Sequence, residues 1–263
     1  YYESLNDYDP LVSFIYGFHA EYTTNENNLK FISDLAHKYE APVFTHISET
    51  SAEVEGCKER YGITPAVLFD KLGIFDFGGG GFHCVWFTDE DRDIFKKRNL
   101  WSVFNACSNL KLASGITPVY KFIEKDMNIA IGTDGAGSNN ALSMFREMYL
   151  DTVLSNVETN NAAAVDPFKI LNAGTSGGAL CMGLNESDVL AEGKKADVIM
   201  IDMNKPSMQP ENNVVRNIIY SADNSVVKMT MIDGKILYED GQYKTIDLDE
   251  VIRECNKFKK DLA

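Results

Sequence analysis

The chain has 263 residues, 44% hydrophobic and 24% charged, with 39 acidic against 25 basic side chains and a net charge of −14. That length and apolar content suffice for one large domain or two small ones. The acidic balance argues against nucleic acid as a partner, because phosphate contacts need a basic surface. No apolar run of about eighteen residues is present, which argues against a membrane span.

Leu11 to Phe18 is apolar and rich in β-branched and aromatic residues, and predicts a strand ending at His19. Thr24 to Tyr39 predicts a helix capped at Thr24 or Asn25. Ala41 to Thr45 predicts the next strand, followed by helices over Ser51 to Tyr61 and Thr64 to Leu72. Glu53 falls on the charged face of the first of these helices. Gly78 to Val85 predicts a strand opened by a glycine run, and Thr88 to Arg98 a helix with a Thr-x-x-Asp cap. Leu100 to Phe104 and Met127 to Gly132 predict strands around a helix over Pro118 to Lys125. Asn140 to Val157 and Asp166 to Leu184 predict helices, the second with close-packing positions at Gly174-Thr175 and Gly177-Gly178.

This alternation implies βα units and a parallel sheet. Five units precede Asn139, whereas a closed barrel of eight takes about 250 residues by itself. They therefore suit the second half of a barrel. After Gly193 the pattern changes. Ala196 to Asp202 predicts a strand, and Val226 to Ile232 with Lys235 to Glu239 predicts a hairpin around Asp233-Gly234. Asp247 to Leu262 predicts an amphipathic terminal helix. The expected organisation is a partial barrel over 1–190, β-strands over 191–245 and a C-terminal helix over 246–263.

The chemistry concentrates where apolar runs end. Thr45-His46-Ile47-Ser48-Glu49-Thr50 puts a histidine and a carboxylate three residues apart at a strand's carboxyl end, where α/β folds keep their sites. His46 alone suits a buried structural histidine or a ligand; Glu49 beside it is placed to move protons on a bound water. His83 follows four glycines, which suit either a turn only glycine can make or a close approach of backbone to a ligand. Asp134, in Gly132-Thr133-Asp134-Gly135, suits a turn or a carboxylate beside imidazole at a metal. His19 suits a substrate hydrogen bond or a structural role. His37 sits in a charged helix and is expected to be exposed. Asn105, Ser108 and Asn109 suit a pocket wall or a loop brace, and Ser138, Asn139 and Asn140 suit a helix cap. No Walker A sequence and no Gly-x-Ser-x-Gly elbow is present. The five cysteines, odd in number and without a Cys-x-x-Cys pair, suit free thiols and a cytoplasmic location.

Taken in order, Gly17-Phe18-His19-Ala20-Glu21-Tyr22-Thr23, Thr45-His46-Ile47-Ser48-Glu49-Thr50, Gly81-Phe82-His83-Cys84-Val85, Ser108 to Gly115 and Gly132 to Asn140 resemble the amidohydrolase superfamily. Within it the chain is most similar to the 5-methylthioadenosine/S-adenosylhomocysteine deaminases, and Ala191 to Asp197 and Met231 to Lys235 resemble that group's C-terminal β-segment. The resemblance implies a TIM-like (β/α)8 metal-dependent hydrolase barrel, of which this is the C-terminal part, plus a small β-sandwich segment. It implies one divalent metal ion, zinc or else iron, held by His46 and Asp134. A metal-activated water would attack the amino-bearing ring carbon of an amino-purine nucleoside and release ammonia. Glu49 would shuttle a proton to a ring nitrogen, and His83 would stabilise the water and the tetrahedral intermediate. Asp134 would take the water's proton, and His19 would bind the substrate at its ribose.

The alternatives are a guanine, triazine or pterin hydrolase, or a non-catalytic binding protein of this fold. The family's His-x-His pair on its first barrel strand is absent from these four histidines. That and the start at Tyr1 predict that the chain is a C-terminal portion that alone binds metal weakly, since two protein ligands rarely hold zinc. Exposed sheet edges in such a portion predict self-association into a homo-oligomer.

Overall fold

The protein, described by a computed structural model over residues 1–5, 8–9 and 11–261, divides into two compact units, Tyr1–Gly183 and Leu184–Ala263. The first is built on five parallel strands in sequential order: β1 (Tyr16–Phe18), β2 (Val43–Ile47), β3 (Gly79–His83), β4 (Trp101–Phe104) and β5 (Asn128–Ile131). Three of the helices on the intervening segments begin at side-chain caps. Asn25 accepts from the Asn28 N–H, Thr50 from the Glu53 N–H, and Thr88 forms a reciprocal capping box with Asp91. Helix Ser51–Tyr61 ends at Gly62 in the left-handed region, the usual stop signal.

The core between sheet and helices is aromatic. Phe69, Phe75, Phe95, Phe104 and Phe122 are fully buried. Edge-to-face contacts run from Phe69 to Phe75, from Phe75 to Phe95 at 5.6 Å, from Phe95 to Phe87 at 4.7 Å, and between Phe104 and Phe122 at 5.1 Å. The glycine run serves this packing. A Cβ on Gly79 would lie 1.9 Å from the Val43 carbonyl oxygen, and one on Gly80 would lie 2.3 Å from that of Trp101. At Gly79 and Gly80 neighbouring strands pass too close for any side chain, whereas Gly78 has open space and serves the turn into the strand at φ +91.

Three elements depart from the pattern in the sequence. β1 begins only at Tyr16, where its pairing with Val43 begins, and Leu11 and Ile15 are exposed. The helix expected from Asn140 starts at Met144, because Asn140 and Leu142 take left-handed backbone. The helix expected over 166–184 splits into Pro167–Ala173 and Ser176–Cys181. Gly174 lies at that break against Met148, and a Cβ on Gly177 would lie 2.7 Å from the Ile129 carbonyl oxygen.

The second unit carries β6 (Val198–Ile201), β7 (Val227–Ile232), β8 (Lys235–Glu239) and β9 (Gln242–Tyr243) in one antiparallel sheet. Asp233 and Gly234, both at positive φ, make the tight turn between β7 and β8. A short helix at Val214–Tyr220 has no counterpart in the sequence reading. Helix Leu248–Asp261 is the last described element, and the expected helix end at Leu262 lies outside the described residues. Among the described residues, no helix is long and apolar enough to cross a membrane.

Candidate active site

Every residue singled out for chemistry lies at the carboxyl edge of the parallel sheet. His19 directly follows β1, His46 lies on β2, Glu49 follows β2, His83 ends β3 and Asp134 follows β5. Register alone would not bring the histidines together. His46 is paired with Phe82, and His83 with Ile47, so simple alternation would send the two imidazoles to opposite faces. His83 instead takes φ +75 and Cys84 φ +51. That turn swings the His83 ring beside His46, with centroids 5.5 Å apart and planes near parallel. Ligand atoms of His46, His83 and Asp134 then lie within 4.8 Å of one another.

Each member of this cluster is oriented by a neighbour. His46 Nδ1 is 2.7 Å from the His19 carbonyl oxygen, to which it donates, so the free nitrogen is Nε2. Asp134 Oδ2 accepts from the Ser108 and Ser138 hydroxyls at 2.6 and 2.7 Å, and Oδ1 accepts from the Gly135 N–H. Burial pushes the Asp134 carboxyl up, but those donors outweigh it and hold it below the usual aspartate value. Burial lowers the His83 imidazole, against the opposing pull of Glu49 and Asn109. The ring is therefore neutral at neutral pH, and its 3.7 Å approach to Glu49 Oε2 is not an ion pair.

Glu49 is fixed from two sides. Its Oε1 accepts from the Ser114 hydroxyl at 2.8 Å, and its backbone N–H donates to Glu53 Oε2 at 2.8 Å. Glu53 Oε1 accepts from the Ser48 N–H at 2.7 Å. Glu53 is thus buried under the site rather than on the charged outer face of its helix. Its spacing in Thr50-Ser51-Ala52-Glu53 is a capping-box signal, and that was the cue available in the sequence. Ser138 also departs from expectation: its hydroxyl holds Asp134, while Asn139 donates to buried Glu147 and to the Thr133 carbonyl. Thr117 and Glu147 carried no signal in the sequence, and Ser114 stood out only as part of the Ser108 to Gly115 motif. His37 is exposed, as expected, and is bonded to the Ser33 carbonyl and to Asp76.

Two cavities adjoin the cluster. One of about 210 Å³ is lined by His46, Phe82, Val103, Asn105, Gly132 and Asp134. A mainly apolar one of about 520 Å³ runs past His19 and His46 along Tyr16, Phe18, Phe44 and Phe82. Imidazole and carboxylate donors at this spacing fit one divalent cation of the zinc type.

Residues 4–237 match the amidohydrolase family, and the chain belongs to that family. It is 40% identical over 94% of its length to a 5-methylthioadenosine/S-adenosylhomocysteine deaminase of Caldanaerobacter subterraneus subsp. tengcongensis, covering 57% of that protein. It is 38% identical over 97% of its length to a 5'-deoxyadenosine deaminase of Methanosarcina acetivorans, covering 59%. Its fold superposes with a TM-score of 0.91 on a zinc-bound adenosine deaminase from Xanthomonas campestris, at 31% identity, covering 97% of this chain and 58% of that one. The parallel α/β sheet is the amidohydrolase fold. The chain spans less than three fifths of the length of each of these proteins.

Proposed function

We propose that this chain is the C-terminal portion of a metal-dependent hydrolytic deaminase acting on adenosine-type nucleosides such as 5-methylthioadenosine, S-adenosylhomocysteine or adenosine. The observation that carries the reading is the convergence of His46, His83 and Asp134 ligand atoms within 4.8 Å, beside a Glu49 carboxylate held by Ser114. The substrate class is supported by the relatives' deaminase names at about 40% identity. On this reading residues 1–190 are part of a (β/α)8 barrel, 191–245 are strands of a composite β-sandwich, and 246–263 are its terminal helix. The five free cysteines support a reducing, cytoplasmic setting.

One divalent metal, with zinc favoured by the donor set, would be held by His46 Nε2 and Asp134, and supplies Lewis-acid activation of water. The chain's own residues do the rest. Asp134 takes a proton from the attacking water. His83 Nε2 orients that water and stabilises the tetrahedral centre formed at the ring carbon. Glu49 Oε2 carries the water's second proton to the ring nitrogen. His19, exposed at the rim, binds the ribose. Ammonia leaves.

The test is ammonia release by the zinc-loaded full-length gene product from the three adenosine compounds, with guanine as a control. Release from the adenosine compounds, lost in Glu49→Gln, is expected. No release from any of them, with metal bound, would remove this substrate class.

A further inference from the structure

We infer that Asn109 and Thr117 set the tautomer of His83, placing its proton on Nδ1 and leaving the Nε2 lone pair to face the site. They act as a positioning pair; neither touches the reacting atoms. The inference follows from counting hydrogens around a closed, buried ring of partners. His83 Nδ1 lies 2.7 Å from Asn109 Oδ1. Asn109 Nδ2 lies 3.1 Å from Thr117 Oγ1. Thr117 Oγ1 lies 3.0 Å from the carbonyl oxygen of His83 itself. His83 and Asn109 are each 1% exposed and Thr117 6%, so bulk water does not supply other partners.

The carbonyl of His83 can only accept, so the single hydroxyl proton of Thr117 goes to it. The Thr117 oxygen is then free only to accept, and its partner Asn109 must present the amide N–H. That orientation turns Asn109 Oδ1, an acceptor, toward His83 Nδ1, which must carry a proton. The opposite amide orientation would use the Thr117 proton on Asn109 and leave the His83 carbonyl without it. One arrangement makes three hydrogen bonds and the other two, in a place where unmade bonds are costly. The backbone adds a reason for the brace. His83 stands at φ +75, and Thr117 holds the carbonyl of this strained residue in place.

The consequence, which rests on the deaminase reading, is that His83 meets the attacking water as a proton acceptor at Nε2. Long-range proton–nitrogen NMR on the metal-free full chain with labelled histidine reads the tautomer directly, at a pH where the ring is neutral. His83 is assigned by the signals that vanish in His83→Asn. The unmodified chain is expected to show the Nδ1–H form. Thr117→Val, which releases the Asn109 amide, is expected to populate the Nε2–H form, and Thr117→Ser to restore the original one. An Nε2–H form in the unmodified chain would overturn the inference, and so would a Thr117→Val chain that keeps Nδ1–H. The unmodified chain decides the matter even where Thr117→Val does not fold. The deaminase reading fails separately: a protein that releases no ammonia but shows Nδ1–H loses that reading and keeps this one.

Discussion

The two sheets of this protein use the same residue types for opposite ends. In the parallel sheet, Gly79 is needed for proximity as well as for its torsion, φ +113, since a Cβ there would collide with the backbone of β2. In the antiparallel sheet, Gly234 has open space around it and is needed only for its torsion, φ +77. Polar residues divide the same way. Among the described residues, every buried charged or polar side chain lies in Tyr1–Gly183, and none in Leu184–Ala263. Burying such groups is costly unless they are bonded. The first unit carries that cost partly at the carboxyl edge of its sheet, where His83, Ser108 and Asn109 are buried, and partly on its helices, as at Asp91 and Asp151.

The sharpest way to break this comparison is Gly79→Ala. We expect it to destabilise the protein by about 4 kcal/mol or more, or to abolish folding, because the clash is with backbone. Gly234→Ala should cost only about 1–2 kcal/mol, from the left-handed torsion alone. Urea unfolding of the two variants checks both, and equal losses would void the distinction.

Next in size, on the deaminase reading, is Glu49→Gln. It should lower ammonia release by roughly 10²–10⁴-fold and leave the unfolding midpoint unchanged, since the Ser114 hydroxyl can still donate to the amide oxygen. Glu53→Gln should do both kinds of damage. One of the two backbone N–H groups that Glu53 accepts from would then face an amide N–H. A stability loss of about 1–3 kcal/mol should accompany slower turnover, measured by urea unfolding and ammonia release together.

The smallest effect sharpens the cost of burial. Asp151 is buried beside Glu147, with Oδ2 lacking a hydrogen-bond partner. Burial first, and then the charge of Glu147, raise its carboxyl well above the ordinary aspartate value. The folded chain therefore holds this proton more tightly than the unfolded chain. Its contribution to stability is fully present below the unfolded-state value and is lost as pH rises toward the folded one, by at most about 1.4 kcal/mol per pH unit. Asp151→Asn should remove that slope and be the more stable protein at neutral pH. Unfolding of variant and parent across a pH series checks this, and parallel curves would show that Asp151 does not titrate in that window.

Local pattern made much of the molecule legible. Helix Ser51–Tyr61 and strand Lys235–Glu239 fall where apolar periodicity and turn residues put them. His46, Glu49, His83 and Asp134 were found because chemistry-bearing residues follow apolar runs, and a strand's carboxyl end follows its apolar run too. The partners of the supporting residues were illegible for a physical reason, even where a residue such as Asn109 was itself singled out. Ser114 reaches Glu49 across 65 residues of sequence, and Asn109 reaches His83 across 26. No periodicity records a contact of that kind. Glu53 and Glu55 look alike on a helical wheel's charged side, yet one is buried beneath the site and the other exposed.

The sequence by itself determined the order of strands and helices, the family, and which side chains stand at the strand ends, because those depend on local burial and spacing. Only the tertiary structure decided which of them meet. It needed the left-handed turn at His83 to bring that ring beside His46. It also needed the close passage of β2 and β4 along the glycines of β3 to put the strand ends within reach of one another.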